Sequence, residues 1–281
     1  MKPIKELSIS GGGVRGYGFF GSIYYLWKEN ILQLDKLESI ACVSVGSWLG
    51  AALNIGYTPV EMGDFFFELD VGTVKDIDLT NFFERKSMLK GEIMRQFVKK
   101  MVTNKYPESV TLLELYNKTK IHLIIVTLCL NTSKIIYLDY LSHPDLDLIT
   151  AIIMSSSIPG IFPPVEYENR LYIDGGIVDN NPIHKLGDNA WGICQCVDEN
   201  DNNISVKNMM DYSVYIIRSV YNNVNNIKRK SNQNIISIKT DISITSFDLN
   251  KDVKLELIQK GINETKVQVD RIKLMESIKF N

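Results

Sequence analysis

Apolar and polar positions along this chain switch repeatedly between two periods. The runs 5–10, 37–44, 120–130, 134–141, 170–176, 190–197 and 234–240 are short and rich in Ile, Leu, Val, Tyr and Cys, which predicts strands. Between them apolar residues recur at helical spacing over 16–30, 45–56, 58–70, 92–104, 145–157, 209–230 and 251–275, and 58–70 opens on Thr-Pro, a helix start. The 209–230 segment carries one apolar stripe, Met210, Val214, Ile217, Tyr221 and Val224, which reads as core packing. Several strand runs, such as LIIVTLCL at 123–130, are apolar throughout, the signature of a sheet buried on both faces. Strands alternating with helices predict an α/β fold around a largely parallel sheet. With no repeat and no dividing linker, residues 1–281 are expected to form a single domain.

Composition removes several function classes. The 31 basic and 33 acidic residues nearly cancel, so no basic excess marks a nucleic-acid binder, and Lys228-Arg229-Lys230 reads as a solvated helix end. The four cysteines, Cys42, Cys129, Cys194 and Cys196, form no C-x-x-C pair and sit mostly in apolar runs, so buried free thiols are expected rather than zinc ligands or disulfides. The N-terminus MKPIKELSIS lacks the apolar stretch of a signal peptide, and no apolar run is long enough to span a bilayer. A soluble protein of a reducing compartment is the expectation.

Three strand ends carry candidate chemistry, because ligands in open α/β sheets gather at the carboxyl ends of strands. The first holds SISGGGVRGYG, where Gly11, Gly13 and Gly16 fit G-x-G-x-x-G. A dinucleotide site would need an acidic residue ending the next strand, and that strand ends in Ser44 instead. Backbone N–H groups at a helix N-terminus serve a tetrahedral oxyanion equally well. Arg15, a cation in the first helical turn, either pairs with a carboxylate to hold the loop or contacts an anionic head group; dipole effects of about 0.3–1 kcal/mol favour the first.

The second strand end is Ser44, placed where strand gives way to helix. It is a helix cap or a nucleophile at a strand–helix elbow. Gly46 satisfies the elbow's second small position, Cys42 replaces its first glycine, and Ser47 is an alternative cap. The third end holds YIDGGIVDNNPI, where Asp174 with Gly175 and Gly176 is either a plain Asp-Gly turn or a general base; Asp179, Asn180 and Asn181 before Pro182 add a second turn signal. A serine nucleophile needs a proton acceptor. His122 lies in an apolar strand and His143 in a turn, while His184 would complete a Ser44-Asp174-His184 triad. The alternative is a dyad in which Asp174 accepts the proton directly, which burial would favour by raising its pKa.

Four blocks in this order resemble the patatin-like phospholipase family: 7–29 its glycine-rich loop and following helix, 42–47 its nucleophile elbow, 151–165 its Ser-Ser-x-x-Pro-x-x-Phe-Pro-Pro segment, and 172–182 its Asp-Gly-Gly block with Asn-Asn-Pro. The similarity spans roughly 4–187, with 188–281 completing the sheet and helical layer. The resemblance implies a three-layer α/β/α fold and lipid acyl hydrolysis of the phospholipase A type, without metal or other cofactor. Ser44 would be nucleophile and Asp174 base. Gly12 and Gly13 would form the oxyanion hole with Gly11, Arg15 and Gly16 beside them, and His184 becomes a neighbour. It implies an acyl-lipid substrate, transient contact with a membrane surface, no nucleic acid, and a cytoplasmic or peripheral location. Cys42 departs from the family's glycine and leaves room for a weakly active or purely lipid-binding relative. Phe19, Phe20, Trp48, Phe65 to Phe67, Phe82, Phe83 and the IPGIFPP turn are the expected apolar walls, and NFFERKSML (81–89) the expected mobile cover.

Overall fold

In the computed structural model, residues 1–68, 82–196, 206, 212–213, 215–216, 219–220, 234–240, 242, 246 and 249–279 are described. Most of the predicted 209–230 helix, and the side chains of Phe82, Phe83 and Cys196, lie outside them. The strands are β1 (Glu6–Ile9), β2 (Ser39–Val43), β3 (His122–Cys129), β4 (Lys134–Leu138), β5 (Val165–Tyr167), β6 (Arg170–Asp174), β7 (Trp191–Cys196) and β8 (Asn234–Lys239). The helices are α1 (Gly16–Lys28), α2 (Val45–Asn54), α3 (Pro59–Glu68), α4 (Phe82–Arg85), α5 (Glu92–Thr103), α6 (Leu112–Thr119), α7 (Leu148–Ser156) and a C-terminal helix, Lys251–Lys279.

The strands form one mixed sheet in the order β5-β6-β3-β2-β1-β7-β8, with β4 on β3. The pairs β3–β2, β2–β1, β1–β7 and β7–β8 are parallel, and β3–β4, β3–β6 and β5–β6 antiparallel. Helices α1, α2 and α7 pack on the strands, and the C-terminal helix on β8 and α1. Ala41 and Ile124 are covered by Ile183 and Leu186, from a short 3-10 segment, Pro182–Lys185, and the residue after it. The continuous apolar runs of β2 and β3 are buried as their sequence predicts: Ile40, Ala41, Cys42, Val43, Ile125 and Val126 are fully enclosed.

One strand register decides where the site can form. β3 pairs with β2 from His122 to Val126, and with β6 from Thr127 to Cys129, while β4 pairs along Ile125–Cys129. A strand has only two edges, and β4 occupies one beside both partners. β2 and β6 therefore share the other edge, pointing at each other end to end. Val43 stands opposite Val126 and Asp174 opposite Thr127, the very next residue.

Three elements escaped the pattern, among them the one-turn helix α4. β5 is only three residues long, and α6 carries a capping box in which Thr111 accepts from the Glu114 N–H and the Glu114 carboxylate from the Thr111 N–H. The expected cover over 81–89 is fixed at its far end: Met88 and Leu89 donate backbone bonds to Gly160 and Ile161, and Ser87 and Leu89 are fully buried.

Helices α1 and C-terminal meet backbone to backbone. A Cβ on Gly21 would overlap the Ile258 carbonyl, and one on Gly261 the Gly18 carbonyl; beside them Thr265 Oγ1 lies 2.7 Å from Ser22 Oγ in a fully buried pair. Gly261→Ala is expected to lower stability by about 1–3 kcal/mol despite alanine's better helix propensity, because overpacking against backbone outweighs it. Urea unfolding would show this as a lower midpoint at unchanged slope, and a raised midpoint would contradict it.

Candidate active site

Ser44 follows the last residue of β2 and precedes the first of α2, with φ 54° and ψ −131°. Positive φ is rare and costly for a residue with a Cβ, and such strain gathers at functional sites. Its side chain makes no capping bond to α2, so the capping alternative does not describe it. Ser47 does not cap either, since its hydroxyl donates back to the Ser44 carbonyl at 2.6 Å. The turn is held from outside: the Ser44 N–H donates to Ser155 Oγ at 2.9 Å, and Ser155 Oγ donates to the Val126 carbonyl at 2.7 Å. Gly46 lies so close to β1 that a Cβ would overlap the Ile9 carbonyl.

Cys42 points away from the elbow's tip, onto α2. Its Sγ packs where Gly50 has no side chain, 3.0 Å from the position a Cβ there would take, and donates to the Ile124 carbonyl at 3.5 Å. The volume added at position 42 is thus accommodated by Gly50. Burial alone pushes the thiol's pKa up, which keeps it protonated and unreactive.

Asp174 reaches Ser44 through the shared edge of β3. Its N–H donates to the Ser157 carbonyl at 2.9 Å, its Oδ1 accepts from the Gly176 N–H at 2.7 Å, and its carboxyl lies close enough to the Ser44 side chain for that hydroxyl to pull its pKa down. Gly175 crosses β3 so closely that a Cβ would lie 2.8 Å from the Thr127 nitrogen. Asp174 is 4% exposed, and burial raises its pKa to about 6 against the opposing pull of the Ser44 hydroxyl and the Gly176 N–H. That brings a weak base toward neutrality.

The glycine loop faces the same point. Gly13 has φ 54°, which frees the chain to turn into α1, and Gly12 packs against the Phe19 ring. The Gly11 N–H donates to the Asn180 carbonyl at 3.3 Å, whereas the N–H groups of Gly12 and Gly13 have no acceptor among the described residues. Gly16 abuts Val45 of α2. Arg15 Nε donates to the Ile242 carbonyl and so ties the loop to a distant segment.

Ser44 opens onto an apolar cavity of about 90 Å³ walled by Tyr17, Phe20, Trp48, Phe66, Ile158 and Phe162. Trp48 is oriented by its Nε1–H, which donates to Ser156 Oγ at 2.8 Å. Of the other aromatics expected as walls, Phe19 is core, and Phe65 packs among Tyr57, Phe66 and Phe97. His184 stands elsewhere, its Nε2 3.3 Å from Tyr137 Oη and 3.6 Å from Asp179 Oδ2. The consecutive serines 155–157, unrecognised as site residues from sequence, hold the Ser44 backbone, the cavity tryptophan and the Asp174 backbone in turn. Among the described residues no three His, Cys, Asp or Glu side chains gather as a metal-binding group, and no helix is long and apolar enough to cross a membrane.

Comparison with known proteins bears on the family and the fold. The family model described as patatin-like phospholipase matches residues 7–186. A protein of Acanthamoeba polyphaga mimivirus is 30% identical over 96% of this chain and 95% of its own length. A probable lipid hydrolase of Invertebrate iridescent virus 6 is 29% identical over 65% of this chain and 64% of its own. Among solved structures, VipD from Legionella pneumophila superimposes with a TM-score of 0.63 at 15% identity, over 95% of this chain and 67% of VipD. ExoU from Pseudomonas aeruginosa does so at 0.55 and 12% identity, over 96% of this chain and 53% of ExoU, so the chain spans about half of that protein. These likenesses show a shared three-layer α/β/α fold.

Strain at Ser44 gives a direct test. Ser44→Gly is expected to be more stable than Ser44→Ala by about 1 kcal/mol, because only glycine adopts this backbone freely. Chemical denaturation of the two variants would measure the difference, and equal stabilities would mean the turn stores no strain.

Proposed function

The chain belongs to the patatin-like phospholipase family, and on that premise we propose that it hydrolyses carboxylic esters of lipids through a Ser44-Asp174 dyad. The observation that carries this reading is the meeting of strained Ser44 with the buried Asp174 carboxyl, brought together by adjacent register positions on β3 at the head of an apolar cavity. Ser44 Oγ attacks the acyl carbonyl while Asp174 takes its proton. The Gly12 and Gly13 N–H groups receive the oxyanion, a role supported by their lack of other acceptors among the described residues. Collapse of the tetrahedral intermediate breaks the ester bond, and protonated Asp174 returns its proton to the departing alcohol or lysolipid. Asp174 then deprotonates water, which attacks the acyl-enzyme and releases the fatty acid and Ser44.

The acyl chain is assigned to the cavity beyond Ser44. Its walls offer hydrocarbon contact and almost nothing polar, which suits an alkyl chain better than a sugar or a peptide. Such a substrate resides in membranes, so the enzyme works in transient contact with a lipid surface. We read 1–281 as one domain, a reading supported by β7 and β8, which come from beyond the matched segment yet extend the sheet beside β1.

Fatty-acid release from phospholipid vesicles is expected to vanish in Ser44→Ala and to fall by about 10²–10⁴-fold in Asp174→Asn. Release persisting at the wild-type rate in either variant would sink the dyad. The dependence of kcat/KM on pH is expected to lose activity on the acid side near pH 6, where Asp174 becomes protonated. Stability should run the other way. A carboxyl whose pKa rises from 3.8 to about 6 on folding stabilises the fold below its unfolded value, and that contribution is lost as pH rises through about 6. Asp174→Asn should therefore be more stable than wild type at pH 8, measured by thermal unfolding of both proteins.

A further inference from the structure

One residue lies between the glycine loop and the base loop and touches both. The Asn180 carbonyl accepts from the Gly11 N–H at 3.3 Å, and Asn180 Nδ2 donates to the Gly11 carbonyl at 3.1 Å. Asn180 thus engages both backbone polar groups of Gly11, whose carbonyl also accepts from Ser10 Oγ at 3.2 Å. A Cβ on Gly11 would overlap Asn180 Oδ1, and one on Gly176 would stand 2.7 Å from it. The side-chain amide therefore fills the space between the loop carrying the Gly12 and Gly13 donors and the turn that follows Asp174.

The neighbours of Asn180 fix it in turn. The Asp179 N–H donates to the Gly175 carbonyl at 2.9 Å, and the buried Asp179 carboxylate accepts from Tyr137 Oη at 2.8 Å. On the other side Asn181 Oδ1 accepts from Ser8 Oγ at 2.9 Å. Three consecutive residues are thereby tied to β4, to the glycine loop and to β1.

We infer that Asn180 is a positioning residue for the proposed hydrolysis: it holds the Gly12 and Gly13 donors in register with Ser44 and Asp174. This inference rests on the ester-hydrolase reading. Asn180 meets no reacting atom in this scheme and acts through Gly11. An amide is required because the contact needs a donor toward the Gly11 carbonyl and a planar group thin enough to lie between two glycines. A carboxylate would set oxygen against oxygen, and alanine would leave the Gly11 carbonyl with only the adjacent Ser10 hydroxyl and the two loops free to separate. Misplaced N–H donors weaken the hold on a developing oxyanion more than on a ground-state ester, so the loss falls on kcat rather than KM.

The test compares wild type, Asn180→Ala and Asn180→Asp on p-nitrophenyl butyrate, with an alkyl trifluoromethyl ketone as a tetrahedral oxyanion mimic. Both variants are expected to lose about 10–100-fold in kcat, with KM changed by less than about twofold. Affinity for the ketone should fall by the same factor as kcat, while binding of the fatty-acid product stays unchanged. Wild-type kcat in both variants, or a loss confined to KM or to thermal stability with ketone affinity intact, would overturn the positioning role. Should Asn180→Ala fail to fold, Asn180→Ser decides by the same kcat-to-ketone correspondence. Failure of the underlying reading looks different: wild type itself would neither turn over the ester nor bind the ketone.

Discussion

Everything at this site depends on β3 being longer than β2. β2 runs out at Val43, and the free edge of β3 beyond it is taken by β6 arriving from the opposite direction. Backbone hydrogen bonding along one strand thus sets the ends of two others head to head. Ser44 and Asp174, remote in sequence, become neighbours because each lies at the end of its strand. The remaining features either tighten that meeting or supply something for the two residues to act on.

The meeting is costly in local terms. Ser44 is held at positive φ, Asp174 is a buried carboxylate, and Gly46, Gly175 and Gly11 stand where a side chain would collide with backbone or with Asn180. Strain and desolvation of this kind persist only when the surroundings over-determine them. Here the surroundings are the C-terminal end of α7 and the 179–181 segment. Ser155 grips the Ser44 N–H, the Ser157 carbonyl grips the Asp174 N–H, and Asn180 joins the glycine loop to the base loop. The same burial that penalises the Asp174 charge raises its pKa, so the energetic cost and the chemical usefulness have one origin.

The second layer of consequence is apolar. Tyr17 and Phe20 from α1, Trp48 from α2 and Phe66 from α3 are spaced for a helix buried in a core, yet together with Phe162 they leave a gap that begins at Ser44. Trp48 belongs to both worlds: its ring stacks on Phe97 at 5.4 Å, and its one polar atom is satisfied by Ser156. Cys42 shows the same economy in the opposite sense. A larger side chain at an elbow position is matched by Gly50 across the strand–helix interface, so the departure is absorbed by packing.

The sequence by itself determined the alternation of strands and helices, the burial of β2 and β3, and the placing of Ser44, Asp174 and the three glycines at strand ends. Those features are local: side-chain periodicity, β-branched runs and glycine at sharp turns are written residue by residue. It left Ser44 open between cap and nucleophile, Arg15 between loop support and head-group contact, and Asn180 as a mere turn signal. What the tertiary structure adds to each is a partner far away in the chain. Ser155 and Asp174 give Ser44 its setting, the Ile242 carbonyl takes Arg15, and Gly11 takes Asn180. His184 was equally open, and it lies with Tyr137 and Asp179 because the 3-10 segment it rides covers Ala41 and Ile124. Strand pairing and hydrogen bonds between distant residues have no signature in local periodicity, so the site's parts were legible in the sequence and their assembly was not.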